Sequence, residues 1–106
     1  MIRNKKPPHG RDAWFNLGVS VAEQGGADEA ETAFRRAIAI DPHDAEAWYN
    51  YGRTLWDQHK YAEAEEACRH AIDFDPQHAA AWNNLGAALY EQGKHAEAEE
   101  TYRRAI

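Results

Sequence analysis

Cysteine and long apolar runs are nearly missing from this chain of 106 residues. Its single cysteine, Cys68, allows no internal disulfide, as is usual in the reducing cytosol. No apolar run approaches the roughly 18 residues that a membrane-spanning helix needs. The first ten residues, MIRNKKPPHG, have no apolar core after their charges, so we do not expect a secretory signal. Together these absences predict a cytoplasmic protein.

Positive charge is also scarce, and the formal net charge is −6. Three of the twelve basic residues, Arg3, Lys5 and Lys6, lie in the first ten positions, whereas all eighteen acidic residues lie in 11–106. A surface of that sign repels a phosphate backbone, so nucleic acid is not an expected partner. No membrane partner is expected either. Residues 1–10 are predicted to form a flexible basic arm.

A repeat of 34 residues organises the rest of the chain. Five sets of three identical residues are spaced at this interval. They are Trp14, Trp48 and Trp82; Asn16, Asn50 and Asn84; Gly18, Gly52 and Gly86; Ala30, Ala64 and Ala98; Ala37, Ala71 and Ala105. The dipeptide Asp-Pro recurs at 41–42 and 75–76. So many coincident positions do not arise from composition alone. They define three units, 11–44, 45–78 and 79–106, of which the last is incomplete.

Each unit has the pattern of two helices. A buried stripe with helical spacing is predicted in the first unit, at Trp14, Leu17, Gly18 and Val21. Gly25–Gly26 ends this helix, and a second helix is predicted over about 27–40, where Asp41–Pro42 stops it. The corresponding breaks are predicted near 59–60 in the second unit and at Gly93 in the third. The chain is therefore predicted to be all-α.

The chain resembles the tetratricopeptide repeat family, whose signature of Trp-x2-Leu-Gly-x2-Tyr, Ala-x3-Phe and Pro recurs every 34 residues. The matching residues are Trp14, Leu17, Gly18, Ala30, Phe34, Ala37 and Pro42 in the first unit; Trp48, Gly52, Ala64, Ala71 and Pro76 in the second; Trp82, Leu85, Gly86, Ala98 and Ala105 in the third. The departures are Tyr51 for Leu, Cys68 and Tyr102 for Phe, and Val21, Leu55 and Leu89 for Tyr. The resemblance covers 11–106. It implies an α-solenoid in which the hairpins stack as a right-handed superhelix and the first helix of each unit lines the concave side.

The repeated asparagine is the leading candidate for a binding residue. On a helical wheel with Trp14 at 0°, Asn16 falls at about 200°, opposite the buried stripe. Asn16, Asn50 and Asn84 would then form a row in the concave groove, where each amide can pair with the N–H and C=O of an extended peptide. Such a row resembles the asparagine ladder of O-linked N-acetylglucosamine transferases. The alternative is a solvated or locally hydrogen-bonded amide.

Further side chains on the outward flanks of the first helices set the expected selectivity. They are aromatic, apolar or amide residues with one cation, namely Phe15, Val19, Tyr49, Arg53, Trp56, Asn83 and Tyr90. The acids expected in the groove are Asp12, Glu23, Glu46, Asp57 and Glu91. An extended peptide with apolar anchors and some positive charge would suit this surface. Tyr49 and Trp56 have a second interpretation, which is partial burial between adjacent hairpins.

Some members of the family bind the C-terminal carboxylates of heat-shock chaperones through lysines and arginines in this groove. The matching positions here are apolar or uncharged, at Phe15, Val19, Asn50, Ala80 and Asn84. A carboxylate would have no counter-charge at these positions. This use of the groove is therefore not expected.

No group of residues in the sequence predicts catalysis or metal binding. No two of the six histidines are four residues apart, the spacing that aims both rings at one metal from a helix. Cys68 takes the position of Phe34 and Tyr102 in the other units, which predicts a buried and inert thiol. Glu65–Glu66 and Glu99–Glu100 are interpreted as the solvated face of the second helices. We expect no enzyme activity, no metal site and no cofactor.

The sequence stops at Ile106, inside the second helix of the third unit. Tyr102 and Ile106 are therefore predicted to be exposed, although solenoid ends need a polar outer face for solubility. Three explanations are that the chain is a fragment of a longer array, that it self-associates through Tyr102 and Ile106 as a homo-oligomer, and that it tolerates the exposure. The predicted function is a protein-interaction module that binds an extended peptide or protein segment in the groove. A structural assembly unit and the targeting arm of a larger enzyme are the alternatives.

Overall fold

The computed structural model describes residues 10–106 and consists, over that range, of six α-helices without a strand. The helices are α1 (Arg11–Glu23), α2 (Ala27–Ile40), α3 (Ala45–Asp57), α4 (Tyr61–Phe74), α5 (Ala79–Glu91) and α6 (His95–Ala105). The all-α prediction and the predicted second helix over 27–40 are confirmed. The predicted basic arm, residues 1–10, lies outside the described residues except for Gly10.

A residue with positive φ follows the first helix of every unit. Gly25 has a φ of +84°, His59 of +63° and Gly93 of +83°. The next backbone N–H then bonds to the carbonyl five residues earlier, at 2.8 Å for Gly26 to Val21, 2.9 Å for Lys60 to Leu55 and 3.0 Å for Lys94 to Leu89. Glycine adopts this conformation freely, whereas a residue with a Cβ loses about 1–2 kcal/mol. The three predicted breaks thus share one backbone conformation.

The hairpins stack in chain order. Each hairpin pairs two consecutive helices, and the second helix of one hairpin packs against the first helix of the next, α2 on α3 and α4 on α5. The first helices α1, α3 and α5 also contact one another in order, so they form a continuous row. The extents of the chain, 58 × 25 × 19 Å, reflect this growth in one direction. The architecture is the predicted α-solenoid.

Gly18 and Gly52 lie where the two helices of a hairpin approach most closely. A Cβ added at Gly18 would be 2.7 Å from the ring of Phe34, and one added at Gly52 would be 2.9 Å from Sγ of Cys68. Both partners are fully buried, so they have no room to move. These two positions therefore have no room for a larger residue without a shift of the packed helices. Burial also raises the pKa of the Cys68 thiol to about 12, as expected for an inert core cysteine.

The prediction of a buried stripe in the first unit is wrong at Leu17. This side chain is 41% exposed, whereas Leu85, at the same position of the third unit, is 2% exposed. Leu85 belongs to a core cluster with Cys68 of the preceding hairpin. No hairpin precedes α1 within residues 10–106, so Leu17 has no such partner there. Spacing along a helix identifies its apolar side but not which neighbour covers it.

A basic side chain lies over the tryptophan of each unit. Arg36 is 5.0 Å from the Trp14 ring centroid, and Arg104 is 5.5 Å from that of Trp82. At the same position of the second unit, His70 stacks on Trp48 with a centroid distance of 4.3 Å. The middle unit therefore lacks the guanidinium that forms a cation–π contact in the other two.

Replacing His70 with arginine should raise the free energy of unfolding by about 0.5 kcal/mol, because a guanidinium interacts more strongly with the indole face of Trp48 than a stacked imidazole does. Urea unfolding in about 0.5 M NaCl measures this, since salt suppresses any new ion pair with the nearby Glu66. The reciprocal change, Arg36→His, is the matched control and should lower the stability by a similar amount. Equal stability of all three proteins would contradict the interpretation.

Candidate functional site

Two cavities open along the row of first helices. The first, of about 190 Å³, lies between α1, α2 and α3 and is lined by Val19, Ala22, Glu23, Phe34, Asn50, Arg53, Thr54 and Asp57. The second, of about 250 Å³, lies between α3 and α5 and is lined by Arg53, Trp56, Asp57, Asn84 and Ala87. Because Arg53 and Asp57 line both cavities, we treat the two together as one groove.

The charges of the groove are unpaired. Arg53, Asp57 and Glu23 are exposed, and none of them forms an ion pair with another residue of 10–106. Two other acids expected in the groove are engaged elsewhere, since Asp12 pairs with Arg11 at 2.7 Å and Glu46 contacts His78 at 2.8 Å. The groove therefore has two free carboxylates and one free guanidinium.

The three repeated asparagines have different environments. Asn16 is exposed and lines neither cavity. Asn50 lines the first cavity, and its Nδ2 donates to the Glu46 carbonyl at 2.9 Å, one turn earlier on α3. Asn84 lines the second cavity, and its Nδ2 is buried without a hydrogen-bond partner among residues 10–106. In this structure Asn50 is therefore a locally hydrogen-bonded amide, and Asn16 is a solvated one.

Trp56 provides a second unpaired donor in the same place. Its Nε1, like Nδ2 of Asn84, is buried and has no partner in the part of the chain that the structure describes. Both side chains line the second cavity. A buried donor without an acceptor costs about 1–3 kcal/mol, and native proteins contain few of them. Two such donors belong to side chains that line one cavity.

The aromatic and apolar groove candidates are partly engaged in packing. Phe15 meets Phe34 edge to face at 5.7 Å, and Tyr49 lies against the His78 ring at 4.8 Å. These contacts support the second interpretation for Tyr49, which is partial burial between adjacent hairpins. Val19 is partly buried and lines the first cavity.

Asn83 and Tyr90 lie at the end of the molecule and line neither groove cavity. Tyr90 lines a cavity of about 400 Å³ together with His95, Glu99 and Tyr102. Asn83 lies in a depression beside Tyr102 and Ile106. Both residues are on α5, but they face the side on which no further hairpin is present within residues 10–106. Their assignment to the groove stays a prediction.

Three lining residues were missed by the sequence interpretation, namely Ala22, Thr54 and Ala87. Each lies three or four residues after a groove candidate on the same helix. Residues three or four apart share a helix face, so this spacing could have indicated all three. Thr54 donates its hydroxyl to the Asn50 carbonyl at 2.9 Å, which leaves no free hydroxyl proton for a ligand.

Within residues 10–106, no three histidine, cysteine, aspartate or glutamate side chains converge closely enough to hold a metal ion. Over the same residues, no helix has both the length and the apolar character needed to span a bilayer.

The profile of the tetratricopeptide repeat family matches the chain at residues 2–45, 22–79 and 52–106. The chain therefore belongs to the tetratricopeptide repeat family, a fold that serves as a protein-interaction scaffold, and the predicted resemblance is confirmed. No curated protein sequence matches it significantly.

Solved structures with the same fold include three with 26% sequence identity. The second tetratricopeptide repeat domain of Spaghetti (RPAP3), bound to the HSP90 peptide SRMEEVD, has a TM-score of 0.88 and 26% identity over 90% of this chain and 88% of that one. The first such domain of human RPAP3 has a TM-score of 0.87 and 26% identity over 93% and 78%. MamA has a TM-score of 0.87 and 26% identity over 92% of this chain and 57% of its own.

Proposed function

We propose that the chain is a protein-interaction module whose groove binds an extended peptide segment of another protein. The observation that carries the proposal is the unpaired Nδ2 of Asn84 beside the unpaired Nε1 of Trp56, in a cavity that shares Arg53 and Asp57 with its neighbour. The peptide bound to the second repeat domain of Spaghetti supports it, because that domain has the same fold.

The groove amides would recognise the peptide backbone. Asn84 supplies a donor for a peptide carbonyl, and Asn50 retains its Oδ1 as an acceptor for a peptide N–H, since only its Nδ2 is used within the protein. The Asn84 Nδ2 is buried in a side chain that lines the cavity, and a peptide carbonyl that reached it would satisfy this unpaired donor. Exposed Asn16 would extend the row at the N-terminal side.

The groove charges would select the peptide. Glu23 and Asp57 favour a basic side chain, and Arg53 is the single free cation of the two cavities. An acidic segment such as SRMEEVD would meet two carboxylates and one guanidinium. We therefore expect neutral or basic extended peptides to bind more tightly than that acidic sequence, in agreement with the predicted absence of a carboxylate clamp.

An array of extended peptides, which includes SRMEEVD, tests the groove. Binding by the wild type is compared with binding by a triple variant in which Asn16, Asn50 and Asn84 are replaced with alanine. Loss of three amide contacts should weaken binding by roughly 10-fold to 2,000-fold, since each net hydrogen bond contributes about 0.5–1.5 kcal/mol. Gln77→Ala is the matched control, because Gln77 is an exposed amide that lines neither cavity. Thermal melts must show that all variants are folded. Equal binding by the wild type and the triple variant would refute the role of the amides.

The remaining expectations stay predictions. They are the absence of enzyme activity, the cytoplasmic location, self-association through Tyr102 and Ile106, and a role as the targeting arm of a larger enzyme.

A further inference from the structure

A further cavity lies outside the groove, between the first and second hairpins. Its volume is about 270 Å³, and it is enclosed by α2, α3 and α4, each of which packs between other helices of the described chain. On α3 it is lined by Trp48, Tyr51 and Leu55, which share one helix face because they are three and four residues apart. It has no lining residue in common with the two groove cavities. We name it the outer cavity.

Two carboxylates of the outer cavity have no cationic partner. Glu63 and Glu66 on α4 line it, and neither forms an ion pair with another residue of 10–106. Arg35 on α2 also lines the cavity, but it donates to Glu31 at 2.7 Å, so its charge is already balanced. The outer cavity therefore combines two unpaired carboxylates with an aromatic wall.

The next junction between hairpins uses the same positions differently. Arg69, the counterpart of Arg35, contacts Glu65 at 3.0 Å and Glu97 at 2.9 Å, so it joins α4 to α6. Glu97 is the counterpart of Glu63, which has no such bond. Glu65 is 15% exposed and accepts hydrogen bonds from the turn of the following hairpin, so its interpretation as a solvated residue is wrong.

A second guanidinium of the next junction is also missing from the outer cavity. Arg104 lies over the Trp82 ring at 5.5 Å and is 4.0 Å from Glu100 on the preceding turn. His70 takes the position of Arg104 and stacks on Trp48 at 4.3 Å. An imidazole is shorter than a guanidinium side chain, so it forms no ion pair with the carboxylate one turn earlier. The space that a guanidinium would fill stays open.

We propose that the outer cavity binds the side chain of an arginine carried by another protein. The guanidinium would pair with Glu63 and Glu66 and lie against the aromatic wall, as this chain's own Arg104 does at the next junction. Its planar fork of donors suits two carboxylates, and its face stacks on aromatic rings, whereas a lysine ammonium is a strongly hydrated point charge. The cavity is smaller than the roughly 300–1,000 Å³ of most small-molecule sites, which favours a single side chain. This proposal is independent of the groove.

A capped tripeptide, acetyl-Gly-Arg-Gly-amide, is the probe, and NMR titration of the 15N-labelled chain measures its binding. The indole N–H resonance of Trp48 and the backbone resonances of α4 should shift, with a Kd of about 1–5 mM for one side chain. The same peptide with citrulline, which has the shape of arginine without its charge, should bind about tenfold more weakly. The lysine peptide should also bind more weakly than the arginine peptide.

Variants of the chain assign this binding to the outer cavity. The double change Glu63→Gln and Glu66→Gln should weaken it about tenfold. Glu97→Gln with Glu100→Gln is the matched control, because it changes the net charge equally at the same repeat positions of the next junction, and it should retain the affinity. His70→Arg supplies a guanidinium from the chain itself and should prevent binding of the peptide. Thermal melts must show that every variant is folded.

The groove is tested separately in the same titration. Glu23→Gln with Asp57→Asn removes the free carboxylates of the groove and should leave the shift of the Trp48 indole unchanged. A Trp48 shift that this variant abolishes would place the arginine in the groove and overturn the outer cavity as its site.

Other outcomes would also overturn the proposal. Equal affinity for the arginine and citrulline peptides, or an affinity that survives Glu63→Gln with Glu66→Gln, would show that the carboxylates bind no guanidinium. Tighter binding of free L-arginine than of the capped peptide would make the ligand a small molecule. Binding that requires replacement of Arg3, Lys5 and Lys6 with alanine would make the chain's own basic residues the occupant. No shift at about 20 mM peptide, with or without that replacement, would show that the cavity binds no arginine.

Discussion

Replacing Phe34 with alanine should lower the free energy of unfolding by about 4 kcal/mol. Phe34 is 1% exposed, and its ring fills the space left by Gly18 on α1. Removing the ring loses its transfer free energy and leaves a cavity that close-packed neighbours cannot fill. Domains of this size have only about 5–15 kcal/mol of stability, so Phe34→Ala could unfold the protein. The milder Phe34→Leu, with an expected loss of about 1 kcal/mol, stays folded and can still be measured.

Tyr102→Ala is the matched control for this prediction. Tyr102 occupies the same position of the third unit, and its ring likewise lies against a glycine, Gly86. It is 36% exposed, because no hairpin covers it within residues 10–106. We expect a loss of about 1–2 kcal/mol in urea unfolding. Equal losses at Phe34 and Tyr102 would mean that stacking of hairpins adds little to the burial achieved inside one hairpin.

The double change Glu31→Gln and Glu65→Gln should cost about 2 kcal/mol at neutral pH and reduce the sensitivity to acid. Each carboxylate accepts charge-assisted hydrogen bonds from the next hairpin, worth about 1 kcal/mol after the partial exposure of the lysines is considered. Glutamine keeps an acceptor oxygen but loses the charge. The hydrogen bonds between hairpins should therefore weaken, and the hairpins should separate more easily.

The pKa shifts give the direction of the pH dependence. Burial is the largest influence on Glu31 and raises its pKa, but the hydrogen bonds from Gln58, Lys60 and Arg35 together outweigh it, so the pKa is lowered. The pKa of Glu65 is lowered by the same balance, with Gln92, Arg69 and Lys94 as the donors. The folded state thus favours the ionised form. This stabilisation is complete above the ordinary pKa of about 4.3 and disappears as the pH falls through the lowered values.

Urea unfolding between about pH 7 and pH 3 would measure the effect. The wild type should lose stability steeply below about pH 4.5, and the double variant should lose less. Glu99→Gln is the matched control, because Glu99 has the same repeat position but contacts only Arg103 of its own helix among the described residues. It should leave the dependence of stability on pH unchanged. Parallel curves for the wild type and the double variant would show that other carboxylates govern the acid response.

The helices and their breaks could be predicted from the sequence because their causes are local. Gly25 and Gly93 adopt positive φ readily, and the Asp-Pro pairs cannot continue a helix, so each signal acts within a few residues. The repeat added the break at His59, which has no glycine and was found only through its register with Gly25 and Gly93. The resemblance to the family, carried by its signature residues at this interval, implied the solenoid in which each hairpin buries its apolar side on the next.

The groove was predicted only as a side of the molecule. A helical wheel placed Asn16, Asn50 and Asn84 at one angle and treated them alike. In the structure Asn50 bonds to its own helix, while Asn84 is left with a buried donor beside Trp56. The difference arises because each asparagine meets different side chains of the neighbouring hairpin, and those contacts have no signature in the spacing along one helix.

The sequence by itself determined the helices, their breaks and the apolar side of each helix, because these depend on residues within one or two turns, and the 34-residue repeat is read directly from it. The tertiary structure alone decided what each repeated position does. Glu31, Glu65 and Glu99 are the same residue in the same register, yet two are enclosed by a following Gln-x-Lys turn and one is not. The donors lie 27–29 residues away in sequence, so only the stacking of one hairpin on the next brings them to the carboxylate.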